Sequence, residues 1–307
     1  MSEILIIGAA IIDVLVRPVN RLVFETGSYP AEDIRMSPGG DALNEALVLA
    51  GLGKQVRLET VVGDDEAGRF LIRECRDRGV VIEQRQIRKG ITTGINVVLV
   101  GEDGERSFLT NPGGTLRALK LTDIRMPYGQ KVRYLCFASI FVFPKIRTEQ
   151  LVRIFSQAKK QGITVCADMT KCKCKETVSD MANAFVYIDY LFANEQEAAL
   201  LTGETDTQKA AESLLNSGAE HVIIKCGAKG CLVKTKSEVY SVPAEREIEC
   251  IDTTGAGDSF VAGFICALSE GKDLRVCAQF ANRCGAKAAE VLGATEWAVQ
   301  KYEEDKL

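Results

Sequence analysis

Ile251-Asp-Thr-Thr-Gly-Ala-Gly-Asp-Ser-Phe-Val-Ala-Gly-Phe-Ile-Cys-Ala-Leu268 is the stretch on which the reading of this chain turns. Two acceptors, Asp252 and Thr254, lead into Gly255 and Gly257, and Asp258 follows. Val261, Phe264, Ile265 and Leu268 then recur at helical spacing. The pattern predicts a tight glycine turn feeding a buried helix. The first N–H groups of a helix have no internal partner, and its dipole adds partial positive charge there. Such a terminus suits an anion, a phosphate above all. Glycine keeps a Cβ out of the path of an approaching ligand. Asp258, in the first turn, has two readings. It is an N-cap or dipole partner, or a general base beside a bound phosphate that takes a proton from an attacking hydroxyl.

Asp252 through Phe260 resembles, without a break, the C-terminal signature of the ribokinase-like (PfkB) carbohydrate kinases. The resemblance implies ATP-dependent phosphoryl transfer to a hydroxyl of a small carbohydrate. Asp258 is then the catalytic base, and the N–H groups of Gly255, Ala256 and Gly257 form the anion hole. It also implies an α/β fold, the ribokinase-like three-layer α/β/α arrangement with a mostly parallel central sheet and a small β-sheet lid. Residues 1–307 would form a single kinase domain, with the lid at about 14–37 and 92–112.

Ser37-Pro-Gly-Gly-Asp-Ala-Leu-Asn-Glu-Ala46 runs into a helix expected over Leu43–Leu52. Paired glycines before a helix allow close approach of a ligand, or simply make a turn. Asn44 can both donate to and accept from a hydroxyl. The stretch resembles the N-terminal signature of the same kinases, which implies Gly39, Gly40 and Asn44 as sugar contacts. Asp13 follows Ile11-Ile12 and reads as a strand-end carboxylate facing solvent, or as an acceptor for two adjacent hydroxyls; the resemblance implies the second. Thr92 to Thr110, with Gly101-Glu-Asp-Gly104 in the middle, reads as a hairpin. Arg106 on it is either a solvated charge or a substrate contact.

From Val132 onward, apolar runs alternate with helical patterns. The runs are Val132–Phe137, Ile163–Ala167, Tyr187–Phe192 and His221–Lys225. That order predicts a parallel sheet covered by helices on both faces, with ligands at the carboxyl ends of strands. Asp168 follows such a run and either faces the site or caps a helix. Asn194-Glu-Gln-Glu197 reads as an N-cap and capping box. It also resembles the family's Asn-x-x-Glu, which implies Mg2+ held through Glu197 and phosphates oriented near Asn194. The glycines of Lys225-Cys-Gly-Ala-Lys-Gly-Cys231 suit a hairpin. The resemblance implies that Gly227 and Gly230 lie along the nucleotide, with Lys225 near its phosphates and Glu245 to Ile251 bordering the adenine. Asn282, in a helix expected over Ala278–Val291, either bonds solvent or matches a position near the adenine. Asp252 and Thr254 resemble part of a monovalent-cation site, which implies K+.

Composition narrows the classes. The formal net charge is −4, with 38 Lys+Arg scattered among 42 Asp+Glu, so no basic face for nucleic acid or membrane is expected. No apolar run approaches the ~20 residues of a membrane span. Met1-Ser-Glu enters Ile4 at once, so no signal peptide is expected, and the 11 cysteines read as reduced thiols of a cytoplasmic protein. Cys166, Cys172 and Cys174 are a conceivable metal set, against an exposed basic loop whose lysines repel a cation. His221 is the single histidine, which disfavours histidine triads. P-loop and dinucleotide fingerprints are absent. The expected partners are a small sugar and ATP, and a lid of this kind implies a homodimer. Two rivals stand beside the sugar kinase. A nucleoside kinase would need an aromatic pocket, from Phe108, Phe137 or Phe141. A non-catalytic sensor would have a broken anion hole or a lost base.

Overall fold

The structure, a computed structural model, describes residues 3–102, 106–244 and 248–299. In chain order the strands are β1 (Ile4–Ile7), β2 (Ile11–Val19), β3 (Asp33–Gly39), β4 (Val56–Glu59), β5 (Val62–Gly63), β6 (Val80–Val81), β7 (Ile87–Arg88), β8 (Ile95–Gly101), β9 (Arg106–Thr110), β10 (Tyr134–Ile140), β11 (Thr164–Met169), β12 (Tyr190–Asn194), β13 (His221–Lys225), β14 (Cys231–Lys234) and β15 (Val239–Val242). The helices are α1 (Leu22–Thr26), α2 (Asp41–Gly51), α3 (Glu66–Asp77), α4 (Thr148–Lys160), α5 (Val178–Phe185), α6 (Glu195–Thr202), α7 (Thr207–Asn216), α8 (Ala256–Ser269) and α9 (Leu274–Ala289).

Nine strands form one sheet in the order β15-β14-β13-β12-β11-β10-β1-β4-β6. Seven run parallel; β14 and β15 are antiparallel additions at one edge. Parallel strands buried on both faces read as continuous apolar runs. Ile4-Leu-Ile-Ile7 is such a run, and its period of two divides it between two cores. Ile4 and Ile6 join α2, α8 and α9 on one face, while Leu5 and Ile7 join α4, α5, α6 and α7 on the other. The helix-covered, mostly parallel sheet and a separate small sheet are those expected from the sequence.

The small sheet has the order β3-β2-β8-β9. Its pivot is β2. Ile11 and Ile12 are buried in the main body, whereas Val14 to Val19 are only half-buried. β2 pairs with β8 in parallel and with β3 antiparallel, so the sheet is more than the hairpin alone.

Several boundaries differ from the sequence reading. α2 starts at Asp41, before Leu43, because Gly40 at φ 91° turns the chain directly into the helix. α9 starts at Leu274, where the Asp273 side chain caps it by accepting from the Val276 N–H. β12 begins at Tyr190 because Ile188 still closes the turn after α5 onto Phe185 O. Residues 14–37 include the short helix α1 as well as strand.

His221 is an ordinary strand residue, stacked on Tyr190 with ring centroids 4.8 Å apart. Cys166 lies in one core and Cys172 packs against the other, across the sheet, while Cys174 is exposed. The three thiols therefore do not converge. Among the described residues no helix is long and apolar enough to cross a membrane.

Candidate active site

Two glycine-headed helices meet at the carboxyl ends of the sheet. At α8, Gly255 holds φ 71°, and a Cβ there would lie 2.5 Å from Ala294 O. Only glycine fits both the backbone angle and the contact. No side chain caps α8; the Ala256 N–H donates to Thr253 O at 3.2 Å within the turn, and no side chain blocks a ligand from the amides around it. The turn itself is anchored. Asp252, 2% exposed, accepts from the Thr254 N–H at 2.8 Å and from the Gly293 N–H at 3.1 Å. It thereby ties the loop before α8 to the loop after α9. Farther along, the fully buried Phe264 packs its ring against Tyr190 and Phe192 at 5.6 and 5.1 Å.

At α2, a Cβ on Gly40 would meet Ala9 O at 2.7 Å, and one on Gly39 would lie 2.1 Å from Asp13 Oδ2. The second figure shows how closely the backbone cradles this carboxylate. Asp13 is thus not a solvent-facing strand end. It sits inside β2, accepts from Asn96 Nδ2 at 3.2 Å, and burial pushes its carboxyl up to about 6 against that hydrogen bond.

Asn44 joins the two helices. Its Nδ2 donates to Asp258 Oδ2 at 2.7 Å. Burial holds the Asp258 carboxyl well above the usual carboxylate range; Asp41 and then Asp168 push it the same way, while Asn44 and Lys225 pull against them. Asp258 is therefore not the cap of its own helix. It is a buried carboxylate oriented by a neighbour.

Lys225 ends β13. Its Nζ donates to Asp168 Oδ1 and Oδ2 at 2.8 and 3.0 Å. Burial opposes the ammonium, but Asp168 and Glu197 outweigh it and hold Lys225 charged. A Cβ on Gly257 would sit 3.6 Å from that Nζ, so the ammonium stands at the N-terminus of α8. Asp168 lies within β11 and is this lysine's partner, not a helix cap. Asn194 and Glu197 form a complete capping box. Asn194 Oδ1 accepts from the Glu197 N–H at 2.9 Å, and Glu197 Oε2 accepts from the Asn194 N–H at 2.8 Å. Glu197 is 8% exposed, and burial pushes its carboxyl up to about 7.

Two cavities flank this centre. One, of about 400 Å3, is walled by Asp41, Asp168, Asn194, Glu197 and Asp258. The other, of about 760 Å3, is mostly apolar and reaches Ala244, Ile248, Cys250, Phe260, Asn282 and Ala286. Lys225, Gly227 and Gly257 line both, so the α8 terminus is the gate between them. Gly230, at φ 90°, would set a Cβ 2.1 Å from Val242 O, which keeps the hairpin tight beside the larger cavity. Asn282 does not serve solvent. Its Nδ2 donates to Val242 O and Pro243 O at 3.0 and 3.3 Å, which fixes that cavity wall.

Sequence reasoning missed Asp41, Asn96 and Glu45. For Asp41 and Glu45 a signal existed: two acids four residues apart, one just ahead of the Ala42–Leu49 run and one inside it, where the other polar residue is Asn44. Asn96 carried none, because its partner Asp13 lies 83 residues away in the chain. Arg106 begins β9 opposite Val100; its side chain lies outside the described residues, as does Glu245. Of the aromatic candidates, Phe137 is core, packed edge-on against Phe143 and Phe155. Phe108 is 59% exposed, and Phe141 is half-buried at φ 85°.

The profile of the pfkB family carbohydrate kinases matches residues 1–301. The ATP-dependent ribose-1-phosphate kinase of Halopiger xanaduensis is 31% identical over 295 residues, covering 96% of this chain and 94% of the relative. The aminoimidazole riboside kinase of Salmonella typhimurium is 28% identical, covering 96% and 91%. Among solved structures, the ribokinase of Thermotoga maritima superposes with a TM-score of 0.79 at 27% identity, covering 97% of this chain and 96% of that one.

Proposed function

This chain belongs to the pfkB family of carbohydrate kinases, and from that premise we propose that it transfers the γ-phosphate of ATP to a hydroxyl of a small sugar at the gate between its two cavities. One observation carries the reading: Asp258, held by Asn44, stands where an acceptor from the acidic cavity would meet a phosphate entering over Lys225 and Gly257. The larger cavity takes the nucleotide, with Gly227 and Gly230 along it and Asn282 at its wall. The amides of Gly255, Ala256 and Gly257 stabilise charge developing on the phosphoryl oxygens, and Lys225 adds a fixed positive charge beside them. Asp258 takes the proton of the attacking hydroxyl. Asp13, cradled by Gly39 and Gly40, accepts from sugar hydroxyls, and Asn44 shares that role while orienting Asp258.

Glu197 fits a cation. It is a nearly buried carboxylate, raised by desolvation, with one oxygen engaged by the Asn194 N–H. Mg2+ held there would neutralise charge on the ATP oxygens. For K+, both Asp252 oxygens already accept backbone N–H groups, so Asp252 and Thr254 serve first to fix the loop. K+ dependence is checked by turnover in K+ against a bulky organic cation. The small sheet is the lid, with Arg106 a candidate substrate contact on it. Its exposed Ile34, Met36 and Leu109, which the strand register sets on one side, support a homodimer through that face, which sedimentation would test. The 11 free thiols fit a cytoplasmic location.

The deciding experiment is ADP release from Mg-ATP against neutral sugars, sugar acids and nucleosides, with wild type and Asp258→Asn in parallel. A sugar-dependent signal lost in the variant is expected. A signal with nucleosides alone would move the chain to nucleoside kinase, and no signal with any acceptor would sink the transferase reading.

A further inference from the structure

α2 carries a carboxyl that the proposed reaction does not use. Glu45 is fully buried, and neither of its oxygens has an N–H or O–H partner among the described residues. The charged groups that face it are all acids: Asp41 one turn back on α2, Asp258 on α8 and Asp168 on β11. The Cys136 thiol of β10 lies beside it and, as a weak S–H donor, pulls against the burial. The nearby cation, Lys225, is engaged by Asp168. An isolated carboxylate in such a place is so unfavourable that the group takes up a proton instead. Burial followed by the charges of Asp168 and Asp258 drives Glu45 well above the ordinary range in the same sense.

We propose that Glu45 is a positioning residue for Asp258: a buried carboxyl without an N–H or O–H partner stands behind the site, and a charge on it would set a second negative charge against the carboxylate that the reaction needs. The inference rests on Asp258 being the base. Glu45 touches neither acceptor nor nucleotide and acts only through that carboxylate.

The sign follows from linkage. A carboxyl raised in the folded state contributes stability that is fully present below its unfolded value and is lost as pH rises toward its folded one. Glu45→Gln removes this loss. Thermal melting of wild type, Glu45→Gln, Asp258→Asn and the double variant, from about pH 4 to about pH 9, therefore tests the idea without any substrate. The expected result is a Glu45→Gln advantage that widens with pH and widens less in the Asp258→Asn background. A gap independent of pH, or identical in both backgrounds, overturns the proposal. Should Glu45→Gln fail to fold, Glu45→Leu enters the same comparison. With an acceptor in hand, the alkaline fall in turnover should disappear in Glu45→Gln, and its persistence would also overturn the proposal. A protein with no acceptor-dependent turnover would refute the kinase reading, while the melting series would still decide the state of Glu45.

Discussion

α2 and α8 use the same backbone device for different ends. Each begins after a glycine at positive φ, neither has a side-chain cap, and the two pack against one another. At α8 the first turn has no side-chain cap and carries one acid beside the Lys225 ammonium, a setting for an anion, although the Ala256 N–H donates to Thr253 O at 3.2 Å within the turn. At α2 the backbone is turned toward the protein: the Leu43 N–H donates to Ala9 O at 3.2 Å. Its face carries Asp41, Asn44 and Glu45, and Gly39 presses on Asp13. That setting suits hydroxyl donors. A glycine before a helix thus announces close approach without saying of what; the next four side chains decide.

The sharpest way to break this comparison is Asp258→Asn. It should leave ATP binding intact and lower turnover by about 100- to 10,000-fold, the usual contribution of a general base. Near-normal turnover would abolish the distinction between the two termini. Asp13→Ala should come next, raising the acceptor KM by about 10- to 100-fold, the scale of hydrogen bonds to a charged group, with ATP KM unmoved. If ATP KM moved instead, α2 would not be the acceptor side. Asn44→Ala tests the join: turnover should fall about tenfold for one charge-assisted hydrogen bond, and the acid limb of the pH profile should move up because Asn44 lowers the Asp258 carboxyl. An unmoved limb would make the Asn44–Asp258 contact incidental. The smallest effect is expected for ligand-free melting against pH. Asp13 and Asp41 sit at about 6 and Glu197 at about 7, all raised by burial. Their stabilisation is therefore present near pH 4 and lost progressively toward about pH 7. A melting point rising over that window would contradict the burial of the acids.

What could be read from the sequence was local. Gly255 to Asp258, Gly39 to Asn44 and Asn194 to Glu197 each put their chemistry within a few residues, so spacing alone revealed it. The βα alternation after Val132 was equally open, because strands buried on both faces leave unbroken apolar runs. Pairs remote in the chain were not visible. Asn44 with Asp258, Lys225 with Asp168 and Asn96 with Asp13 are separated by 214, 57 and 83 residues, and nothing in one member signals the other. These pairs add to Asn44, read as a sugar contact, a hydrogen bond to Asp258, and give Asp168, read as a site-facing acid or a helix cap, a lysine partner. The small sheet was half legible. Its alternation was apparent, but the parallel pairing of β2 with β8 is set by the long-range fold.

β2 is a strand of the small sheet whose first residues are buried in the main body. Ile11 and Ile12 are locked in the core, Val14 onward belongs to the outer layer, and Asp13 falls between them. It stands at the fulcrum of a lever whose long arm is the small sheet. Were the small sheet to turn about β2, a pull on the Asp13 carboxylate would be applied where it turns. Recognising an acceptor and swinging the cover over it would then be one mechanical event, and a molecule too poor in hydroxyls to grip Asp13 would leave the cover unmoved.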